Sequence, residues 1–248
     1  MNLNEELLFS RHLLLSDVSE FSQAKIRSAE VLVVGAGGLG CPAALFLASA
    51  GVGRLRWVDG DKVELTNLPR QVLYGPDDVG RYKVDAGEAL LRRLSPLCHL
   101  IPHQEHGTAT NLPGWIESAD LVLDCTDRFE TRNLINKLCV QAEKPLIIAS
   151  VIQWAGQLLR VDPDFPETGC YACLFPGDTQ IADAACGAYG VFSTAAGLMG
   201  VMQANEALRK LAGLIQEEPQ LYLFDAKMLS IERMKLRRRT NCPVCSGT

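Results

Sequence analysis

The residues best suited to chemistry gather between positions 33 and 83, which read VVGAGGLG, then WVDGDKVELTNLPRQ, then an isolated Lys83. Gly35, Gly37, Gly38 and Gly40 follow an apolar, β-branched run in the spacing GxGxxG. Glycines there let the backbone approach a phosphate closely, while the helix that follows offers unpaired N–H groups. Asp59 falls 24 positions after Gly35, at the end of a second apolar run. From that place a carboxylate accepts hydrogen bonds from ribose hydroxyls. These features suit NAD as well as ATP, and a structural turn with a solvated aspartate is the plainer alternative. Asn67, Arg70 and Lys83 add more polar and positive groups than a dinucleotide's two phosphates need, so a triphosphate is the better expectation, with Asp61 and Gln71 in the same segment as further candidate nucleotide contacts.

Nine cysteines make up a second set of chemically capable residues. Cys170 and Cys173 form one CxxC pair, in GCYACLFPG, and Cys242 and Cys245 form another, in NCPVCSG. Two such pairs supply four thiolates for a closed tetrahedral site, which points to structural rather than catalytic zinc; redox dithiols are the competing reading. The 68 residues between the pairs exceed a compact zinc ribbon, so the metal would tie the chain's end to its body. Cys186 stands alone in ADAACGAYG before an expected helix, where a helix N-terminus can depress a thiol's pKa and make it nucleophilic. Cys41, Cys98, Cys125 and Cys139 sit in or beside apolar segments and read as buried packing residues. His12, His99, His103 and His106 have no partner spacing for a metal site or a triad.

These residues need a scaffold of alternating strands and helices. Strands are expected over residues 29–36, 54–59, 98–102, 119–125 and 145–150, with helices over 39–50, 83–94 and 130–142. That alternation implies an α/β fold with a mostly parallel, Rossmann-like sheet covered on both faces. Asp59, Asp61, Asp124 and Asp127 then fall at C-terminal strand ends, where such sheets place their crevice. From about position 153 the pattern changes. Residues 156–161 and 221–224 read as strands of a different, antiparallel layer, with a helix near 191–213 between them and a mobile small-residue linker over 177–187. The whole forms one domain over 1–248, a nucleotide-binding part over 1–150 and a partner-binding, zinc-binding part over 151–248.

A formal charge of −5 argues against nonspecific nucleic-acid binding. Arg233, Lys235, Arg237, Arg238 and Arg239 nonetheless form a basic cluster, either a solvated strand edge or a patch for an acidic protein. The acidic start MNLNEELLFSRH lacks a secretory pattern and no stretch is apolar and long enough to span a membrane, so a cytoplasmic protein with reduced thiols is expected.

Taken together, the chain from SRHLLL to CPVC resembles the ThiF/MoeB/HesA family, bacterial relatives of ubiquitin-activating enzymes, through GAGGLG, VDGDKVELTNLPRQ, Lys83, LVLDCTD, the CxxC pairs and the cysteine between them. The resemblance is nearer to ThiF than to MoeB in PAALFLASAGVG, GCYACLFP and LRRRTNCPVC. It implies ATP- and Mg²⁺-dependent adenylation of the C-terminal Gly-Gly carboxylate of a ubiquitin-like sulfur carrier protein, releasing pyrophosphate. It implies that Gly38 and Asp59 contact ATP, that Asn67, Arg70 and Lys83 hold its phosphates, and that Asp127 binds magnesium. Arg11 would reach into the neighbouring subunit of a homodimer as a finger, and Cys186 would match a cysteine that can link covalently to the activated carrier. With no rhodanese domain after the last CxxC, a separate cysteine desulfurase or rhodanese would donate the sulfur. The pattern departs from the family at His12 (glutamine is usual), at Pro69, at Arg128 (often asparagine), where pairing with a phosphate or with Asp124 is open, and in the segment CGAYG. Two other classes stand beside this expectation: a nicotinamide or flavin oxidoreductase, and a noncatalytic carrier-binding scaffold.

Overall fold

A computed structural model describes residues 3–176 and 189–246. Three short N-terminal helices, α1 (Leu3–Leu8), α2 (Ser10–Leu13) and α3 (Glu20–Ser28), precede the first strand. They lie outside the elements expected from the sequence; α3 is capped by Ser19 Oγ, which accepts from the Ser22 N–H at 3.1 Å. Then β1 (Glu30–Val34), α4 (Gly40–Ser49), β2 (Arg54–Val58), α5 (Lys83–Leu94), β3 (His99–His103), α6 (Leu112–Ser118), β4 (Leu121–Asp124), α7 (Phe129–Gln141) and β5 (Leu146–Ile152) alternate, as expected except for α6, which the sequence did not announce, and with ends moved by a few residues.

The first five strands are parallel in the order β3-β2-β1-β4-β5. The order reverses between β1 and β4, so the crevice of an open α/β sheet opens beyond the C-terminal ends of those two strands. Strand β1, EVLVV, is buried along its length and feeds both faces. Val31 and Val33 join an apolar cluster with Leu47, Leu91 and Met199 on one face, whereas Leu32 and Val34 join Leu112, Ile116 and Ile135 on the other. Each such fully buried side chain contributes about 1.5–3 kcal/mol, which is why a continuous apolar run encodes a central parallel strand.

The antiparallel segments are not a separate layer. β6 (Ala155–Val161), β7 (Gln220–Asp225) and β8 (Ser230–Lys235) extend the same sheet, giving eight strands in the order β3-β2-β1-β4-β5-β6-β7-β8. The physical reason is the turn at Gln153, whose φ of +55° reverses the chain so tightly that β6 must pair directly with β5. After the four-residue helix α8 (Tyr171–Leu174), α9 (Ser193–Leu211) lies across β5 and β6. Gly156 admits it: a Cβ there would stand 2.4 Å from Met199 Sδ. Gln203 of α9 also donates to the Asp124 and Ile147 carbonyls at 2.8 and 3.2 Å, strapping the helix to β4 and β5. Strand β8 is exposed along its whole length, as a solvated edge carrying Arg233 and Lys235.

Candidate active site and cysteine cluster

The glycine loop joins β1 to α4 at the crevice. Gly35 has φ +106° and its missing Cβ would stand 2.6 Å from the Cys125 carbonyl oxygen; a Cβ on Gly40 would stand 2.0 Å from the Gly35 oxygen. No side chain fits at either position, so the glycines are required by the tightness of the turn. Trp57 Nε1 donates to the Gly35 carbonyl at 3.1 Å and the Tyr74 hydroxyl to the Ala36 carbonyl at 2.8 Å. With those carbonyls engaged, the N–H groups of Gly37 and Gly38 find no acceptor among the described residues and stay free for an anion.

Asp59 fastens this loop to the end of β2. Its Oδ2 accepts from the Ala36 N–H at 2.6 Å and its Oδ1 from the Asp61 N–H at 2.7 Å. Burial raises its pKa, against the pull of Lys83 and the two N–H donors. Asp61 in turn accepts from Lys83 Nζ at 2.8 Å. Burial pushes the Asp61 pKa up, but the Lys83 hydrogen bond and charge, with the charges of His106 and Arg128, outweigh it and hold this carboxyl below its usual range. A continuous chain of hydrogen bonds therefore runs from Lys83 through Asp61 and Asp59 to the glycine loop.

The segment TNLPRQ lies beside the loop. The Arg70 stem would touch a Cβ on Gly38 at 3.4 Å, and Ala196 in the first turn of α9 would touch it at 3.1 Å, so Gly38 is wedged between them. Arg70 Nη1 donates to the Thr66 carbonyl at 2.9 Å. Asn67 is buried and its Oδ1 accepts from the Glu64 N–H at 3.2 Å. Gln71 is buried next to Gly37 with its Oε1 unpaired among the described residues. Asp127 and Arg128 are exposed beyond β4.

Not every strand-end carboxylate is available. Asp124 is fully buried; it accepts from Arg132 Nε at 3.1 Å and from Thr126, so its guanidinium partner is Arg132 and not Arg128. Arg11 is exposed on α2, which sits at the C-terminal end of α4, away from its own glycine loop. Cys186 lies outside the described residues. Trp57, Tyr74 and Gln203 were missed by the sequence reading, because nothing in their local context announces a contact made across the fold.

The four cysteines of the CxxC pairs do come together. Their sulfurs lie within 4.8 Å of one another and all four residues are buried. Cys170 and Cys242 Sγ stand 3.7 Å apart, and Cys173 and Cys245 Sγ 3.5 Å apart. A tetrahedral ion with metal–sulfur bonds of about 2.3 Å needs sulfurs about 3.8 Å apart, so the cluster fits a closed metal site. Asn136 Nδ2 points at Cys170 Sγ (3.6 Å) and the Arg239 N–H at Cys173 Sγ (3.4 Å), contacts that favour thiolate charge. Cys41, Cys98, Cys125 and Cys139 are buried and burial raises each of their pKa values, as inert packing residues require. Cavities of about 400 and 330 Å³ lie away from the glycine loop, beside this cluster and between α6 and α7.

The sheet order and the glycine loop with its bound carboxylate define a Rossmann-like α/β protein built to receive an anion at the β1–β4 crevice. Its sequence matches the ThiF family over residues 9–244. The chain belongs to the ThiF family. It is 42% identical over 248 residues to the sulfur carrier protein ThiS adenylyltransferase of Escherichia coli (strain K12), covering 100% of this chain and 98% of that protein. It is 43% identical to the adenylyltransferase and sulfurtransferase uba4 of Emericella nidulans over 96% of this chain but only 52% of the relative. Among solved structures, E. coli MccB with ATP shares the fold at a TM-score of 0.78 and 24% identity, over 92% of this chain and 70% of that one.

Proposed function

We propose that this chain adenylates the C-terminal Gly-Gly carboxylate of a ubiquitin-like sulfur carrier protein with ATP, releasing pyrophosphate, and that the carrier is of the ThiS type serving thiamine thiazole synthesis. The observation that carries the reading is the hydrogen-bonded chain from Lys83 through Asp61 and Asp59 to the glycine loop, which sets a cation, a ribose-binding carboxylate and free N–H donors on one rim. Full-length similarity to a ThiS adenylyltransferase supports it.

A carboxylate nucleophile is already ionised at neutral pH, so no general base is needed. Attack on the α-phosphorus forms the acyl–phosphate bond as the α–β bridge breaks, and charge builds on the phosphoryl oxygens and the leaving pyrophosphate. Gly37 and Gly38 offer backbone donors on the turn that Gly35 and Gly40 make possible, Asp59 receives the ribose, and Asn67, Arg70, Gln71 and Lys83 surround the phosphates. Arg128 flanks them. Asp127 would hold Mg²⁺, which supplies charge neutralisation on pyrophosphate. Lys83 arrives paired with Asp61, and release of that pair to the phosphates is the change binding must drive.

Arg11 acts in this reading from one subunit of a homodimer on the site of the other. The placement of α2 supports that: α4 is 10 residues, about 15 Å, long, which separates Arg11 from its own loop by more than an arginine side chain. Zn²⁺ fills the cysteine cluster and does no chemistry. Cys186 is reactive in sulfur transfer but dispensable for adenylation itself, and a separate cysteine desulfurase or rhodanese supplies sulfur. No helix of the described residues is long and apolar enough to cross a membrane, and we place the protein in the cytoplasm. The second reading is the same chemistry on a MoaD-type carrier for molybdopterin synthesis, since relatives of comparable identity are not named for ThiS.

The test is ATP:pyrophosphate exchange with Mg²⁺ and purified ThiS-type or MoaD-type carriers, against versions lacking the Gly-Gly terminus. Exchange that depends on one intact carrier supports the chemistry and selects the pathway. Tight NAD binding with no exchange would move the oxidoreductase reading forward, and carrier binding without AMP transfer the scaffold reading. Cys186→Ala is expected to leave exchange intact; its loss in a folded protein would end the proposed division of labour.

A further inference from the structure

Helix α2 is a single turn with no buried residue of its own, yet it carries Arg11. Two neighbours hold it. Phe9, just before it, is buried against Gly51, where φ is +92° and a Cβ would stand 2.5 Å from the Phe9 ring. His12, next to Arg11, places Nδ1 at 3.0 Å from Gln23 Oε1. Gln23 is fully buried on α3, and its Nε2 donates to the Ala50 carbonyl at 2.9 Å, at the C-terminal end of α4.

That second bond fixes the chemistry of the first. The Ala50 carbonyl can only accept, so the Gln23 amide nitrogen must face it and the amide oxygen must face His12. His12 Nδ1 is therefore the donor. A neutral ring protonated on Nδ1 makes this bond, and so does the imidazolium, so the contact persists whichever of these two forms is present. Helix α4 carries the glycine loop at its other end, and α2 is thereby registered to the same rigid element that carries the phosphate site.

We propose that His12 is a positioning residue: its Nδ1–H···Gln23 bond, relayed to Ala50, fixes the direction in which Arg11 leaves α2 and so sets the fit of Arg11 in the partner's active site. The inference rests on the reading of Arg11 given above. Its basis is local: α2 has no other polar side-chain tie to the body of the protein among the described residues. Misplacing a reacting-site group by about 1 Å costs up to ~100-fold in rate.

The experiment is carrier-dependent ATP:pyrophosphate exchange with the full chain, comparing Arg11→Ala, His12→Phe, His12→Gln and the double variant Arg11→Ala/His12→Phe. Phenylalanine keeps the ring but lacks the donor, whereas glutamine can still donate to Gln23 Oε1. His12→Phe is expected to lower kcat about 10- to 100-fold with the KM for ATP within about twofold, and His12→Gln to recover most of the loss. In the Arg11→Ala background, His12→Phe should add less than about twofold, because the residue acts through Arg11. Full kcat in His12→Phe, or an undiminished effect in the Arg11→Ala background, overturns the proposal while the finger reading stands. Wild-type exchange by Arg11→Ala overturns the finger reading itself.

Discussion

Replacing Cys242 by alanine should detach the end of the chain without unfolding its body. After β8 the chain forms no further long element: residues 239–246 are turns held to the body through Cys242 and Cys245. Ordering eight residues costs about 8–16 kcal/mol at ~1–2 kcal/mol each. Burial of Cys242 and Cys245 with part of Val244 returns about 3 kcal/mol. A structural zinc at such a site supplies about 10–16 kcal/mol, which closes the difference; without it the tail is several kcal/mol short. The main apolar clusters share only the partly buried Val161 and Leu236 with the cysteine cluster, so the sheet should survive. The assay is metal content by mass spectrometry alongside limited trypsinolysis, for which Arg237, Arg238 and Arg239 are built-in sites. The wild type should hold about one zinc per chain and resist cleavage there; Cys242→Ala should lose the metal and be trimmed rapidly, with the main thermal transition displaced by only a few degrees. One zinc per chain in Cys242→Ala, or cleavage at the wild-type rate, would refute the reasoning.

Arg70→Ala and Lys83→Ala should each remove most pyrophosphate exchange, by about 10²–10³-fold, with an unchanged circular dichroism spectrum. Gly51→Ala should destabilise by about 1–3 kcal/mol, since it combines a left-handed backbone with overlap on Phe9; chemical denaturation reads this directly. Asp61 has a depressed folded pKa, so its contribution to stability is present above the ordinary carboxylate value of 3.8 and is lost as pH falls through the folded value. Asp61→Asn should therefore flatten the acid limb of a melting-temperature profile as pH falls below 3.8, and an acid limb identical to the wild type would contradict the pairing with Lys83.

The parallel half of the sheet was legible because its code is local. Buried strands such as EVLVV read as apolar runs, and the glycines of VVGAGGLG announce a turn that admits no side chain. The meeting of the CxxC pairs was legible too, since four thiols in two turn-prone segments have few other uses. What escaped depends on contacts across the chain. The antiparallel strands read as a separate layer because no local feature reveals that Gln153 adopts a positive φ and folds β6 back onto β5. Asp124 read as a crevice carboxylate because its partner Arg132 lies one helical turn into α7 and faces inward only once β4 and α7 pack. Tyr74 and Trp57, which pin the loop carbonyls, carry no spacing signal at all.

The β5–β6 ladder has an implication for anyone wishing to take the molecule apart. Seven residue pairs, from Leu146↔Val161 to Ile152↔Ala155, make it the seam between the five parallel strands and the three antiparallel ones, closed by a turn at Gln153 and Trp154. Chain scission at that turn would leave two fragments, each exposing one naked strand that only the other can complement. Neither piece has the makings of an independent folding unit, but the two co-expressed should find each other by strand pairing. The turn between β5 and β6 is thus a natural split point, where reassembly of the enzyme could be made to report on whatever brings the halves together.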